Sequence, residues 1–220
     1  MLKADLHIHT ECSMDCSTPA EKIIKRCREL GINCIAIADH GTAEGALKMQ
    51  KSAPFQVIVA EEMLTTQGEI MGMFLKETIP SGLTPAETIK RIRAQGGLVN
   101  IPHPYDKVRG SALKEWVIDE IVKEIDLMEV LNARSASPEN VERVRAFTVR
   151  NKIVQGAGSD AHSVNEIGNA YVIMPEFSGK DEFLKSLAKG EIFGHRSSPL
   201  VHLSSTLAKV KSKINKKGQS

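Results

Sequence analysis

MLKADLHIHT, residues 1–10, contains a short β-rich run at residues 3–6, which leads into two histidines, His7 and His9. Side chains two positions apart on a strand point to the same face of the sheet. Both imidazoles are therefore expected to point the same way, toward the interior of a barrel if the sheet closes into one. A second run, CIAIA at residues 34–38, is apolar throughout. Uninterrupted apolar strands are typical of sheets that helices bury on both faces. The two stretches together favour an α/β fold.

Strands and capped helices alternate along the rest of the chain. Thr18-Pro19-Ala20-Glu21 and Thr84-Pro85-Ala86-Glu87 have the form of a capping box with proline at the first helical position, and Gly31 and Gly96 follow as stop signals. A third capped helix is predicted from Ser137-Pro138-Glu139. Further strands are predicted at residues 57–59, 70–75, 98–101, 127–130, 153–155 and 170–174, and further helices near residues 43–51, 112–124 and 180–188. About seven such units favour a (β/α) barrel, with a doubly wound open sheet as the alternative.

The composition fits one folded domain and excludes disordered, collagenous and low-complexity chains. Of the 220 residues, 41% are hydrophobic but only 4% are aromatic, so the core is expected to be aliphatic. The net charge of +2 is too balanced to indicate a nucleic-acid coat or adhesion to membranes. We expect a barrel domain over residues 1–203 and a basic, flexible tail over residues 204–220, for which a nucleic-acid role is the less favoured alternative.

The cysteines and the apolar segments bear on the cellular compartment. No signal peptide and no apolar run long enough for a membrane span is visible, which favours a cytoplasmic protein without a membrane partner. The cysteines form no CxxC pair and are interpreted as reduced thiols: Cys12, Cys16, Cys27 and Cys34. Cys12 and Cys16 lie in the loop after the first histidines, where a ligand role is the less favoured alternative.

Five of the seven histidines follow predicted strand ends: His7, His9, His40, His103 and His162. Because the carboxyl ends of parallel barrel strands meet at one mouth, these imidazoles are expected to converge. Acidic residues follow the same pattern: Asp15, Glu61-Glu62, Glu69 and Asp160. Crowded carboxylates repel one another unless a cation neutralises them, and mixed nitrogen and oxygen ligands suit zinc, manganese or iron. The sequence thus predicts a metal site, while His202 is interpreted as structural and His195 stays open between the two roles.

The motifs D-L-H-I-H-T, A-D-H-G, E-E, P-H-P and G-S-D-A-H occur in this order between residues 5 and 162. Together they resemble the PHP family, the polymerase and histidinol phosphatase domains. The resemblance implies a distorted (β/α)7 barrel, similar to a TIM barrel, that extends to about residue 203. It also implies two or three divalent metal ions at the mouth and hydrolysis of phosphoester bonds.

The resemblance carries nine metal ligands onto this sequence in three groups. The first metal would be held by His7, His9, Glu62 and Asp160, the second by Glu62, His103 and Glu69, and the third by Asp15, His40 and His162. Glu62 is chosen over Glu61 because the family's bridging acid comes two residues after the small residue that ends the strand, here Ala60. Glu69 departs from the family pattern, since many relatives have histidine there.

The implied reaction is hydrolysis of a small phosphate monoester, or of a nucleotide or oligonucleotide phosphodiester, by a metal-bound hydroxide held at Glu62 and Asp160. Three divalent ions outweigh the four ligand carboxylates by about two charges, which suits an anionic phosphate. Arg134 is a candidate phosphate contact and His195 a candidate acid for the leaving oxygen, with Arg109 and Arg196 as weaker candidates. The expected partner is a small phosphorylated substrate, and a long nucleic acid stays open.

Three other functions stay open at this point. A histidinol-phosphate phosphatase would share the site, although such relatives tend to be longer than 220 residues. Metal-dependent amide hydrolysis uses similar H-x-H barrels, but usually with a bridging lysine, and no predicted strand end offers one in a matching position. A non-catalytic PHP module, used for binding or as a scaffold, is expected to lose ligands, whereas eight of the nine positions here match the family by residue type.

Overall fold

A computed structural model of the protein describes residues 1–135 and 139–197. The predicted helix start at Ser137-Pro138, the interpretation of His202 and the predicted tail at residues 204–220 lie outside the described residues. Within the described ranges, no helix combines the length and the hydrophobicity needed to cross a membrane.

Nine strands and six α-helices make up the described chain. The strands are β1 (Leu2–Ile8), β2 (Cys34–Ile37), β3 (Gln56–Thr65), β4 (Gly68–Met73), β5 (Leu98–Ile101), β6 (Leu127–Asn132), β7 (Val154–Gly158), β8 (Ala170–Met174) and β9 (Glu191–Gly194). The helices are α1 (Ala20–Glu29), α2 (Glu44–Ser52), α3 (Pro85–Ala94), α4 (Glu115–Glu120), α5 (Glu139–Asn151) and α6 (Gly179–Leu187). Two short 3-10 helices, Val122–Glu124 and Val164–Glu166, follow α4 and β7. Every predicted strand is present, and β9 is an additional strand that was not predicted.

The strands form one sheet in the order β7-β6-β5-β4-β3-β2-β1-β8-β9. The sheet curls so that the end of β1 meets the chain that follows β7. Ile8 forms a parallel bridge with Ala161, and the His9 N–H donates to the Ala161 carbonyl oxygen at 2.9 Å. Strands β1 to β7 therefore surround a nearly closed barrel, while β8 and β9 extend the sheet from the amino-terminal half of β1. This confirms the distorted seven-stranded α/β barrel.

One part of the barrel departs from the parallel pattern. Strand β3 extends through Glu61 and Glu62 to Thr65 and turns directly into β4, with which it forms an antiparallel hairpin. The expectation that Glu61-Glu62 follows a strand end was therefore wrong, because both residues lie within β3. Since β4 runs in the opposite direction to β3, it begins at the mouth of the barrel. Glu69, its second residue, lies at the mouth for this reason.

The barrel wall separates two hydrophobic clusters. Outward side chains such as Ile35 pack with helix residues such as Ile23 and Met49. Inward side chains such as Ala36 pack with residues of other strands, for example Met71. The division follows the two-residue period of a strand, which sends successive side chains to opposite faces. Most side chains of this inward cluster are aliphatic, as the low aromatic content predicts, but Phe177 and Phe183 also belong to it and pack against Phe74.

The two predicted capping boxes behave differently. Thr84 caps α3 as predicted, because its hydroxyl oxygen accepts the Glu87 N–H at 3.2 Å. The capping prediction for Thr18 was wrong. Its hydroxyl instead donates to the carbonyl oxygen of His162 at 3.1 Å, and Pro19 precedes α1 in an extended conformation. Thr18 thereby ties the start of α1 to the loop after β7.

Helix α4 is shorter than the predicted helix at residues 112–124. Residues 111–114 pair with the turn between β3 and β4 instead. The Ser111 carbonyl oxygen accepts the Glu69 N–H at 2.8 Å, and the Lys114 N–H donates to the Gln67 carbonyl oxygen at 3.1 Å. These bonds use backbone groups that a helix would need, so α4 begins only at Glu115.

Candidate metal centre

The nine predicted ligand side chains meet at the mouth of the barrel. Eight of them are buried, and His40 is partly exposed. They come from β1, β3 and β4 and from the loops after β1, β2, β5 and β7: His7, His9, Asp15, His40, Glu62, Glu69, His103, Asp160 and His162. Three overlapping sets have ligand atoms within 4.8 Å of one another: His9, Asp15, His40 and His162; His7, His9 and Glu62; and His40, Glu62 and Glu69.

A bulge in β1 aims His7 into this cluster. Asp5 pairs with Ile35 and Ile8 pairs with Ile37, so β1 has one more residue than β2 over this interval. Bulges next to sites re-aim a side chain. The extra residue lets His7 face the barrel interior, where its ring lies 5.0 Å from the ring of His9.

The set around His7 and His9 has the spacing of a metal coordination shell. The Nε2 atoms of the two histidines lie 3.0 Å apart, and Glu62 Oε2 lies 3.3 and 3.5 Å from them. Asp160 Oδ1 approaches the same two nitrogens at 3.8 and 3.3 Å. Ligand atoms at about 2.1 Å from a tetrahedral zinc ion lie about 3.4 Å from one another. The four side chains therefore fit a divalent cation between them.

Glu62 connects this set to a second one. Its Oε1 lies 2.7 Å from Nε2 of His103, and that nitrogen lies 3.4 Å from Glu69 Oε2. Nδ1 of His40 lies 3.4 Å from Glu62 Oε2 and 3.7 Å from Glu69 Oε1. A carboxylate with one oxygen in each set has the geometry of a bridging ligand. Glu69 takes a ligand-like place in this set although it is not a histidine.

The third set is centred on Asp15. Its Oδ2 lies 3.3 Å from Nε2 of His40 and 3.2 Å from Nε2 of His162. The Ser13 hydroxyl donates to the other oxygen of Asp15 at 2.8 Å and so orients the carboxylate. His40 turns Nδ1 toward the second set and Nε2 toward the third. The sets are therefore less separate than the resemblance implies, because His40 and His9 each adjoin two of them.

The charges of the cluster depend on one another. Burial opposes the ionisation of Glu62, yet the neighbouring His7 and His40 hold the pKa of Glu62 well below its usual range. Burial also opposes a charge on His40, but Glu62 and Asp15 outweigh it and raise the pKa of His40 to about 9. Protonated imidazoles thus supply the positive charge that the carboxylates need. A multivalent cation supplies the same charge and takes the deprotonated imidazole nitrogens as ligands.

Two buried oxygen atoms add to this requirement. Among the described residues, no donor forms a hydrogen bond of good geometry with Asp160 Oδ1 or Glu69 Oε2, and the nearest nitrogens, Nε2 of His9 and of His103, lie 3.3 and 3.4 Å away. Leaving a buried polar atom without a partner costs about 1–3 kcal/mol, and more for a charged group, unless a cation lies beside it. The residues of the cluster therefore fit divalent metal ions in their spacing, their charge and their unsatisfied atoms.

Known proteins with similar sequences identify the family. A model of the PHP domain matches residues 5–63, and a model of the PHP-associated region matches residues 138–192. Uncharacterized protein MJ1587 of Methanocaldococcus jannaschii is 40% identical over 145 residues, which are 60% of this chain and 82% of that protein. The chain belongs to the PHP family.

Solved structures share the PHP barrel. A candidate metal-dependent phosphoesterase from Bifidobacterium adolescentis has a TM-score of 0.62 at 17% identity, over 73% of this chain and 87% of that one. A two-domain protein from Bacteroides vulgatus is described as containing a predicted PHP-like metal-dependent phosphoesterase. It has a TM-score of 0.70 at 16% identity, over 88% of this chain and 65% of that one. At these identities the likeness establishes the fold.

Two arginines, in loops after β5 and β6, contact the cluster of nine predicted ligands, which is called the PHP site below. Arg109, in the loop after β5, donates through Nη2 to Asp160 Oδ2 at 2.5 Å. Arg134, in the loop after β6, has Nη1 2.6 Å from His162 Nδ1 and Nε 3.2 Å from Glu166 Oε1. Both candidate phosphate contacts thus lie beside predicted metal ligands.

His195 and Arg196 have exposed side chains, and Arg196 Nε donates to the Ser135 carbonyl oxygen at 3.0 Å. They follow β9, which runs parallel to β1 because both are antiparallel to β8, so its carboxyl end points toward the mouth. The interpretation that His195 follows no strand end was therefore wrong. The Ser197 N–H donates to the Ala133 carbonyl oxygen at 2.7 Å and holds this segment beside the loop that carries Arg134.

Two of the four cysteines, Cys12 and Cys16, lie in the loop after β1, beside the predicted ligands. The Cys16 thiol donates to the carbonyl oxygens of His9 and His162 at 3.4 and 3.2 Å. Burial raises the pKa of Cys16 to about 11, so the thiol that makes these two contacts is protonated at neutral pH. Cys12 lies partly exposed in the same loop, and all four cysteines are free.

Glu129 is a residue of the site that sequence reasoning missed. It is buried in β6, where its Oε1 accepts a hydrogen bond from Nδ1 of His7 at 2.7 Å. Its Oε2 accepts the His103 N–H and the Asn132 side-chain amide, each at 2.9 Å. One signal was present in the sequence: a lone acid interrupts the apolar run LMEVL of a predicted strand.

Proposed function

We propose that this PHP protein is a metal-dependent phosphoesterase with three divalent ions, zinc, manganese or iron, at the mouth of its barrel. The substrate would be a small phosphate monoester or a nucleotide or oligonucleotide phosphodiester. The nine ligands would be His7, His9, Asp15, His40, Glu62, Glu69, His103, Asp160 and His162, with Glu62 bridging. The observation that carries the proposal is the convergence of these nitrogen and oxygen atoms, from distant parts of the chain, in one buried cluster.

Charge supports an anionic substrate. Arg109 adds one positive charge to a cluster of five buried carboxylates, Asp15, Glu62, Glu69, Glu129 and Asp160. With three divalent ions the site would carry a net charge of about +2, which attracts a phosphate group. With two ions the net charge would be near zero and the attraction much weaker. The charge balance therefore favours three ions over two.

The proposed roles of the side chains follow from their places around the site. Bound divalent ions supply an activated water molecule and neutralise phosphoryl oxygens as charge moves onto the leaving group. Arg109 and Arg134 would each direct a guanidinium toward the phosphate oxygens. His195, which directly follows β9, would donate a proton to the leaving oxygen. A nucleophilic side chain is not required, because water is the attacking group.

Turnover by the purified, metal-loaded protein tests the proposal. Protein reconstituted with Mn²⁺ or Zn²⁺ is given aryl phosphate mono- and diesters, nucleotides, a short oligonucleotide and histidinol phosphate, and released phosphate or nucleotide is measured. We expect turnover of at least one substrate and a loss of roughly 100-fold or more in Asp160→Asn, since a proposed ligand loses its charge. Asp119→Asn makes the same change at an exposed position of α4 and should retain the activity.

Other outcomes separate the alternative functions. Equal turnover by Asp160→Asn and Asp119→Asn would refute the proposed site. Hydrolysis of lactams or amides, without hydrolysis of phosphoesters, would favour an amide hydrolase. A protein that purifies with fewer than two metal ions per chain and turns over none of the substrates would be a binding or scaffold module.

A further inference from the structure

Glu129 contacts proposed metal ligands without being one itself. Its side chain accepts from His7, from the backbone of His103 and from Asn132 at 2.7–2.9 Å. Asn132 also donates to Asp160 Oδ2 at 3.4 Å. One buried carboxylate thus reaches three of the proposed ligands, directly or through Asn132.

The contact with His7 determines which imidazole nitrogen faces the metal position. A carboxylate only accepts hydrogen bonds, so the single proton of a neutral His7 lies on Nδ1, and the lone pair lies on Nε2. Nε2 is the atom that lies 3.0 Å from His9 Nε2 and 3.3 Å from Glu62 Oε2. Glu62 and Glu129 therefore contact opposite nitrogens of the same ring.

The contact with His103 supports an unusual backbone conformation. The φ angle of His103 is 31°, in the left-handed region that residues other than glycine rarely adopt. Glu129 Oε2 holds the N–H of this residue, while the ring Nε2 lies 2.7 Å from Glu62 Oε1. The two oxygens of Glu129 thus hold ligands of two adjoining metal positions.

We propose that Glu129 is a positioning residue that sets the proton position of His7 and the backbone orientation of His103, and so shapes the first and second metal positions together. This inference rests on the metal centre of the proposed function. The third position, with Asp15, His40 and His162, contains none of the residues that Glu129 contacts in the described structure and should depend on it least.

Glu129→Gln keeps the shape of the side chain but changes its hydrogen bonding. Three donors point at the carboxylate, whereas an amide has one acceptor oxygen. In one orientation of the amide, its NH2 group faces Nδ1–H of His7, and in the other it faces the donors of His103 and Asn132. In either case donors face each other, and at least one hydrogen bond is lost. We therefore expect Zn²⁺ to bind about 10–100-fold more weakly at the first and second positions, with a smaller change at the third.

Zinc titration in competition with a chromophoric chelator measures these affinities without any turnover. Glu61→Gln is the matched control: it changes a buried carboxylate of β3 that accepts from the Ile79 backbone, and it should bind zinc as the wild type does. In zinc-loaded, ¹⁵N-labelled wild type, the Nδ1–H of His7 should be protected from exchange with water. In Glu129→Gln this proton should exchange rapidly. Glu129→Asp retains two acceptor oxygens and should bind zinc with intermediate affinity.

The outcomes distinguish this role from the proposed function. Equal zinc affinity of wild type and Glu129→Gln, or an equal loss in Glu129→Gln and Glu61→Gln, overturns the positioning role and leaves the phosphoesterase proposal standing. A wild type that takes up no zinc overturns both. If Glu129→Gln does not fold, Glu129→Asp decides: weaker binding in the folded variant supports the role, and unchanged binding overturns it.

Discussion

Replacement of Glu61 by glutamine should change how the stability of the protein depends on pH. Glu61 is fully buried in β3, where its Oε2 accepts the Ile79 N–H at 2.9 Å. Its other oxygen has no hydrogen-bond donor among the described residues. Burial raises the pKa of Glu61 from 4.5 to about 7; the Ile79 N–H opposes this rise, and the nearby Asp39 carboxylate adds to it.

The expected size of the effect follows from this pKa. A rise from 4.5 to about 7 corresponds to about 3 kcal/mol for a fully buried group. The folded protein holds the proton more tightly than the unfolded chain, so neutral Glu61 contributes stability that is complete below pH 4.5 and is lost as the pH rises through about 7. Glutamine does not titrate and can keep the bond from Ile79. As the pH rises from 5 to 8, the free energy of unfolding of Glu61→Gln should therefore increase by about 2–3 kcal/mol relative to that of the wild type.

Urea unfolding across this pH range measures the difference. Both proteins are unfolded in the presence of EDTA, so that metal binding does not contribute its own pH dependence. Glu120→Gln, at an exposed position of α4, serves as the control and should differ from the wild type by a constant amount. A constant free-energy difference between Glu61→Gln and the wild type would refute the assignment of a raised pKa to this carboxyl group.

Two further predictions concern the walls of the site. In Gly158→Ala the new Cβ would meet the Cβ of His7 and lie 2.8 Å from its backbone nitrogen, so urea unfolding should show a loss of about 1–3 kcal/mol, with weaker zinc binding. Gly156→Ala, whose Cβ would meet nothing nearer than 3.7 Å, should lose far less, and equal losses would contradict this packing. Arg109→Ala should raise KM for a phosphorylated substrate about 10-fold or more in steady-state kinetics, with a smaller effect on kcat. Lys107→Ala removes an exposed charge from the same loop and should leave KM unchanged; a similar rise there would assign the effect to general charge.

The strands that end at the mouth were predictable from local pattern. The apolar run that became β2 leads directly to His40, and β5 leads to His103. Such runs are recognisable because strands buried on both faces need apolar residues at every position. The parallel arrangement alone then brings together the side chains that come directly after the strand ends.

The hairpin of β3 and β4 was not predicted, because side-chain alternation is the same in either strand direction. The length of the segment that connects the two strands would have indicated the antiparallel direction. Parallel neighbours need a crossover of a dozen or more residues, and the segment between the predicted strands at 57–59 and 70–75 is too short for one with a helix. The antiparallel direction is what brings Glu69 to the mouth.

Residue types and their order along the chain were sufficient to predict the barrel, and the resemblance of its motifs to the PHP family named the nine side chains that its mouth brings together. Only the folded structure decided how those side chains pair: Glu129 lies 122 positions from His7, and Arg109 lies 51 positions from Asp160. The reason is the range of the forces. Burial and backbone preference leave a periodic trace in neighbouring residues, whereas a hydrogen bond or ion pair acts over about 3 Å between atoms that strand register brings together.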